Sequence, residues 1–291
     1  MVAVITPFRD GQVDYPTLDT LVERQIAGGQ QAIVPCGSTG ESATLTHDEH
    51  AEVIKAVVAK AAGRVPVIAG TGSNATAEAI DLTRAAETAG ADGALLISPY
   101  YNKPTQDGIY EHYRAVAEAV GIPLITYNIP GRTGSTIETN TLLRLSEIEN
   151  IVAVKDATGS LDRVMDIVAA CGENLAVLSG DDPLTLPMIS LGAVGLISTT
   201  ANVAPREIAE LTELALAGKT SEARALHYRL LPLMRSLFLE TNPIPVKAAV
   251  AALGLCRDEL RLPLVTMTAE NRAVLTQAIE RAGIASAGAT P

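Results

Sequence analysis

Eight short apolar runs, separated by stretches long enough for one helix each, constrain this chain more than any other feature. They cover residues 2–5, 32–35, 65–69, 93–98, 123–128, 151–155, 175–179 and 194–198. Each is too short for an ordinary helix, and none alternates apolar with polar residues, which is the pattern of strands buried on both faces. The intervening stretches carry helix signals. Thr46-His47-Asp48-Glu49 reads as a capping box ahead of a helix over 51–62 closed by Gly63. Further helices are predicted over 75–89, after Asn74 and ending at Gly90, and over 108–120, ending at Gly121. Eight strands with intervening helices predict an α/β fold, a closed (β/α)8 TIM barrel, whereas a doubly wound sheet uses about five or six strands. No Gly-x-Gly-x-x-Gly follows the first run, which weakens a dinucleotide-binding alternative. The barrel is expected over residues 1–218, followed by a purely helical C-terminal extension over 219–291 whose last residues, 285–291, should fray.

With 47% hydrophobic residues in 291, the chain has ample material for a large core, so disorder is excluded. Its 22 Lys and Arg against 33 Asp and Glu leave a net charge of −11, which argues against nucleic acid as a partner. Cys36, Cys171 and Cys256 form no Cys-x-x-Cys pair, which predicts a reducing, cytoplasmic setting and no structural zinc. The opening Met-Val-Ala-Val-Ile-Thr-Pro has no basic leader and predicts no signal peptide. Residues 183–205 carry no charge, but Pro187, Gly192, Gly195 and a polar run at Ser198, Thr199, Thr200 and Asn202 interrupt them. A short helix, a turn and a buried strand are expected there, and no membrane span.

Active sites of such barrels lie at the C-terminal ends of the strands. The sixth run ends in Lys155, one of six lysines; Lys55, Lys60, Lys103, Lys219 and Lys247 fall in helical or loop contexts. An ammonium in a barrel mouth is costly unless it is paired or its pKa falls. A lowered pKa yields a neutral amine able to form a Schiff base with a carbonyl. An ion pair with Asp156 or a glutamate is the other reading. Tyr127 ends the fifth run, where a phenol could move protons beside an imine or serve as a core aromatic. Arg132 offers a fork for a carboxylate, or is a surface arginine. The Gly37–Ser42 loop supplies hydroxyls and backbone N–H groups for a small anion, while Gly70-Thr71-Gly72 is a weaker phosphate signal. His47 and His50 share a helix face, but no third ligand is near, so no metal site is expected.

These strand-end motifs resemble the dihydrodipicolinate synthases of the pyruvate-dependent class I aldolase superfamily, which also holds N-acetylneuraminate lyase. The marks are Gly37-Ser38-Thr39-Gly40-Glu41-Ser42-Ala43-Thr44, Ile68-Ala69-Gly70-Thr71-Gly72, Pro99-Tyr100-Tyr101-Asn102, Tyr127-Asn128-Ile129-Pro130-Gly131-Arg132-Thr133-Gly134, Lys155-Asp156-Ala157-Thr158-Gly159 and Ser179-Gly180-Asp181-Asp182. Pro243-Ile244-Pro245-Val246-Lys247 and Leu260-Arg261-Leu262-Pro263 carry the match toward the C-terminus. The resemblance implies that Lys155 condenses with pyruvate and that the enamine attacks L-aspartate 4-semialdehyde, with no cofactor. It implies a proton relay of Tyr127, Ser38 and Tyr101, the last reaching from a neighbouring subunit of a homo-oligomer, commonly a dimer of dimers. It implies Thr39 and the backbone near Ile197 around the pyruvate carboxylate, Arg132 on the second carboxylate, and Gly180 lining the pocket. It also implies feedback inhibition by L-lysine at Ser42, Ala43, His47, His50, Asn74, Glu78 and Tyr100, at a site away from Lys155.

One departure stands out: the family usually carries threonine where this chain has Ser38, and serine lacks the methyl that restricts the rotamer. Ser38 leans toward N-acetylneuraminate lyase, whereas Pro130-Gly131-Arg132-Thr133 favours the synthase. Keto-deoxy sugar acid aldolases and dehydratases are further alternatives. A catalytically dead barrel acting as a sensor or scaffold would predict loss of Lys155 or Tyr127, and both are present.

Overall fold

The computed structural model describes residues 1–285. Eight parallel strands follow the apolar runs: β1 (Val2–Ala3), β2 (Ile33–Val34), β3 (Ile68–Gly70), β4 (Gly93–Ile97), β5 (Leu124–Asn128), β6 (Ile151–Asp156), β7 (Ala176–Ser179) and β8 (Gly195–Leu196). Strands β3 to β8 form one parallel sheet in chain order, and β1 pairs with β2. Parallel bridges Val2–Ser198 and Ile33–Val67 place this pair against both edges of the six-stranded sheet. Strand β3 starts later than its apolar run because Pro66 has no N–H for a ladder; its carbonyl instead accepts the Ile33 N–H at 3.0 Å.

Successive side chains of a strand point to opposite faces. Ala3, Val34, Leu95, Ile125, Tyr127, Ala153, Leu178 and Ile197 gather into one inner cluster. Their neighbours Leu96, Leu124, Val154 and Val177 face outward, against Ile109, Tyr113, Val116, Val164 and Ile167 of the covering helices. That alternation turns Tyr127 and Lys155 inward at adjacent strand ends, where the ladder pairs them directly.

Among the helices, His47–Ala61 carries the expected capping box: the Thr46 hydroxyl accepts the Glu49 N–H at 3.2 Å, and the Glu49 carboxylate accepts the Thr46 N–H at 2.9 Å. It begins four residues earlier than predicted. Asn74 does not cap the next helix, Thr76–Thr88; its amide donates to the Tyr100 carbonyl at 3.0 Å. The uncharged stretch holds a short helix, Thr185–Ser190, and then β8. No helix among the described residues is long and apolar enough to cross a membrane.

A small antiparallel hairpin, Phe8–Arg9 with Gln12–Val13, was not anticipated. Its signal was the Asp10-Gly11 pair, both residues at positive φ as such tight turns require. The C-terminal extension is not purely helical. Helices Thr220–Ser236, Ile244–Ala252 and Ala269–Ala282 are interrupted by 253–268, which holds no helix or strand. The first two of these helices bring Ala223, Leu226, Leu230, Val246 and Val250 into the same core as Val2, Val4 and Ile33. The fraying expected at the tail lies, from residue 286 on, outside the described residues.

Candidate active site

Lys155 sits at the C-terminal end of β6, 6% exposed, with its Nζ 4.2 Å from the centroid of the Tyr127 ring. Among the described residues no carboxylate comes within 4 Å of it to form an ion pair. Asp156, the partner weighed from sequence, faces the opposite way: its carboxylate accepts from Arg163 Nε at 3.2 Å and from the Thr158 N–H at 3.1 Å. Burial drives the Lys155 ammonium down to about 8; Asp182 opposes that fall and the Arg132 charge adds to it. The same burial pushes the Tyr127 phenol up from its ordinary value, so it is a protonated hydroxyl near neutrality. A lysine with an accessible neutral form therefore stands beside an intact O–H.

Gly180 explains how the lysine fits. A Cβ there would lie 3.0 Å from Lys155 Cε and 2.8 Å from Ala157 Cβ, so only glycine leaves room for the lysine stem. Its contribution is space rather than a polar contact.

The Gly37–Ser42 loop closes on itself through the Glu41 N–H to the Ser38 carbonyl, at 3.2 Å, with Glu41 held at φ 56°. Ser38 reaches the cavity wall, while Thr39 is buried and its hydroxyl accepts from Asn242 Nδ2 at 3.0 Å. The carbonyl of Asn242 in turn accepts from Arg132 Nη2 at 2.7 Å. Asn242 was not among the residues expected at the site. It precedes the Pro243–Lys247 motif, so the signal was adjacent, but only the folded chain brings it to residues some 110 and 203 positions away.

A cavity of about 420 Å³ opens between this loop and the ends of β3 to β5. Ser38, Tyr127 and Arg132 line it, as do Ser42, Ala43, His47, His50, Glu78 and Tyr100. The residues expected in two separate sites therefore share one continuous wall. Lys155, Thr39, Gly180 and Ile197 are not part of that wall. Lys155 and Thr39 are buried, Lys155 against the ring of the wall residue Tyr127 and Thr39 against Asn242, and Ile197 belongs to the inner cluster around Tyr127. Asn74 stands just outside, tied to the Tyr100 backbone. Tyr101 is not part of the wall either; it is 88% exposed, at φ 72°.

At the far end of the cavity His47 Nε2 lies 2.8 Å from Glu78 Oε1, and Glu78 also accepts from the Ser73 hydroxyl. The Ser73 bond and the His47 contact hold the Glu78 carboxyl below its usual range. His50 donates Nε2–H to the Gly70 carbonyl at 2.8 Å, which leaves Nδ1 as an acceptor with no bonding partner among the described residues. Burial lowers the His50 pKa, so this ring is neutral at physiological pH. A phenol, a guanidinium and the Ser38 residue on the cavity wall, with the buried lysine packed against that phenol's ring, suit a small keto acid: an amine with an accessible neutral form to attack its carbonyl, donors for its carboxylate and a group to carry protons.

Parallel strands with a buried lysine at a strand end define a class of carbonyl-condensing α/β enzymes, and comparison with known proteins places the chain within it. The profile of the Dihydrodipicolinate synthetase family matches residues 1–282, and the chain belongs to that family. A 4-hydroxy-tetrahydrodipicolinate synthase of Syntrophobacter fumaroxidans is 56% identical over 285 residues, 98% of each chain. The crystal structure of the chloride-inhibited dihydrodipicolinate synthase of Acinetobacter baumannii complexed with pyruvate superposes with a TM-score of 0.96 at 48% identity, covering 97% of this chain and 98% of that one. A DHDPS of Cyanidioschyzon merolae with lysine bound has a TM-score of 0.94 at 42% identity, covering 97% of both chains.

Proposed function

We propose that this chain catalyses the reaction for which its curated relatives are named: condensation of pyruvate with L-aspartate 4-semialdehyde to 4-hydroxy-tetrahydrodipicolinate, the opening step of the diaminopimelate route to lysine. The observation that carries the reading is Lys155, buried, without an ion-pair partner among the described residues and set against Tyr127 at adjacent strand ends. The neutral Lys155 amine attacks C2 of pyruvate, a Nζ–C2 bond forms, and the ketone oxygen leaves as water. Loss of a C3 proton gives the enamine, whose C3 attacks the aldehyde carbon. The amino group of the second substrate then displaces Lys155 at C2, closing the ring and freeing the enzyme.

In this reading Tyr127 and Ser38 carry protons, with Tyr101 reaching across from a neighbouring subunit. Thr39 and the backbone near Ile197 hold the pyruvate carboxylate, Arg132 receives the carboxylate of the semialdehyde, and Gly180 makes room for the lysine. The exposure of Tyr101 outside its own cavity supports a homo-oligomer, for which we propose a dimer of dimers. Mixing inactive Tyr101→Phe and Lys155→Ala subunits should restore activity; no recovery despite proven subunit exchange would contradict the shared site.

Two further readings rest on the same geometry. L-lysine is proposed as a feedback inhibitor at the His47, His50, Glu78 and Tyr100 end of the cavity, where a neutral His50 does not repel an ammonium. The lysine-bound relative supports that choice. The eight strands are proposed to close into a (β/α)8 barrel over residues 1–218, with 219–291 as the helical extension, supported by the two bridges at the sheet edges. A cytoplasmic location is proposed on the three free cysteines.

The names of the relatives weigh against N-acetylneuraminate lyase and the keto-deoxy sugar acid enzymes. An activity panel of aspartate semialdehyde, N-acetylneuraminate and keto-deoxy sugar acids is the test. Turnover should be confined to the semialdehyde with pyruvate; cleavage of a sugar acid at a comparable rate would overturn the reading. Arg132→Ala should still form the pyruvate adduct while losing use of the aldehyde.

A further inference from the structure

The second buried lysine lies on the C-terminal extension, yet it grips the loop that carries Ser38 and Thr39. Lys247 lies on Ile244–Ala252 and bonds the carboxylate of Glu41, with both side chains at zero exposure. Its Nζ stands 4.1 Å over the Phe8 ring, and the other Glu41 oxygen accepts the Arg261 N–H at 3.4 Å. Replacing a buried pair with apolar residues of similar volume is often neutral or stabilising, so stability alone does not account for two charges here. Their placement suggests what they do. Glu41 is held in the left-handed region, which a side chain rarely adopts without being fixed by its surroundings. Its N–H closes the turn onto the Ser38 carbonyl, and the adjacent Gly40 carbonyl accepts the Thr6 hydroxyl at 2.7 Å. The segment that carries Lys247 also holds Thr39 and Arg132 through Asn242.

We propose that the Glu41–Lys247 pair is a positioning device: it locks the turn of Ser38 and Thr39 in register with Lys155, so that the C-terminal extension sets the geometry of the proton relay. The proposal rests on the reading of Lys155 as the imine-forming lysine. That reading is checked separately by pyruvate-dependent borohydride trapping on the unmodified protein; absence of an adduct there removes the site reading itself rather than the role of the pair.

The test is a cycle that combines the charge-free double variant Glu41→Gln/Lys247→Met with Ser38→Ala. If the pair acts through the Ser38 hydroxyl, the double variant should lower kcat by about tenfold or more in the unmodified background. In the Ser38→Ala background the double variant should lower kcat by less than about twofold, because the group that the pair positions is already gone. The trapped adduct at Lys155 should persist throughout. Unchanged kcat in the double variant, or equal losses in both backgrounds, overturns the proposal. If the double variant does not fold, Glu41→Asp, which keeps the charge and shortens the arm, is run through the same cycle with the same expectations. Failure of both to fold assigns the pair to stability alone and also overturns it.

Discussion

Lys155 and Lys247 are both removed from water, and the molecule handles their charges in opposite ways. Around Lys247 a carboxylate touches the ammonium and an aromatic face lies beneath it. Burial draws the Glu41 carboxyl up and the Lys247 ammonium down, while the contact between them resists both. Around Lys155 there is an aromatic face but, among the described residues, no carboxylate in contact, and the ammonium falls to about 8. A partner turns a buried lysine into a strut; withholding the partner turns it into a nucleophile. The same residue type in the same fold thus gives structure at one end of the chain and chemistry in the middle of it.

The comparison is tested hardest by one substitution made at both places. Lys155→Met should cut turnover by about a thousandfold or more, since no other group here can form the imine. Steady-state assay of purified protein checks this, and residual activity within tenfold of the parent would break the assignment. Lys247→Met should instead lower stability by about 3–5 kcal/mol, because it strands the Glu41 carboxylate in the core. Chemical denaturation reads that loss directly, and a neutral outcome would mean that the pair carries no net charge interaction.

Stability should respond in the opposite direction at the active site. The folded pKa of Lys155 lies near 8, below the ordinary 10.5. The unfolded chain then binds more protons between those values, so stability rises with pH across that window, and below it the full cost of burying the ammonium remains. Lys155→Met should therefore stabilise the fold by about 3 kcal/mol at pH 7, a gain that fades as pH rises from 8 to 10.5. Unfolding curves at pH 7 and pH 10 compare the two variants on one plot. A smaller effect is expected at Gly180→Ala, whose new Cβ would push on Lys155 Cε. It should slow adduct formation by about ten- to a hundredfold while the fold persists; wild-type kinetics would show that the lysine stem has room to spare.

Much of this was legible before the structure. The strands announced themselves because runs buried on both faces must be apolar throughout, and Lys155 was conspicuous because it ends such a run. The capping box at Thr46 was readable because its partners are three residues apart. What was hidden depends on contacts across the chain. Lys247 read as an ordinary helical lysine because Glu41 lies 206 positions away. Asn242 was missed because its partners, Thr39 and Arg132, meet only where the extension folds back over the strand ends. Asn74 looked like a helix cap from its neighbours, but the Tyr100 carbonyl of another loop claims its amide. The shared cavity was equally invisible: the sequence reading set the lysine site apart from the catalytic residues, while packing lines one wall with Ser38, Tyr127 and Arg132 together with His47, His50 and Glu78.

The most direct test of the contrast between the two lysines is borohydride reduction of the protein in the presence of pyruvate, followed by peptide mass mapping, with adduct formation followed from pH 6 to 10. The account expects a single reduced adduct on Lys155, none on Lys247, and a formation rate that climbs through about pH 8 as the ammonium loses its proton. An adduct on any other lysine, none at all, or a rate that stays low through pH 8 and is still climbing steeply at pH 10, toward the ordinary lysine value of 10.5, would contradict it.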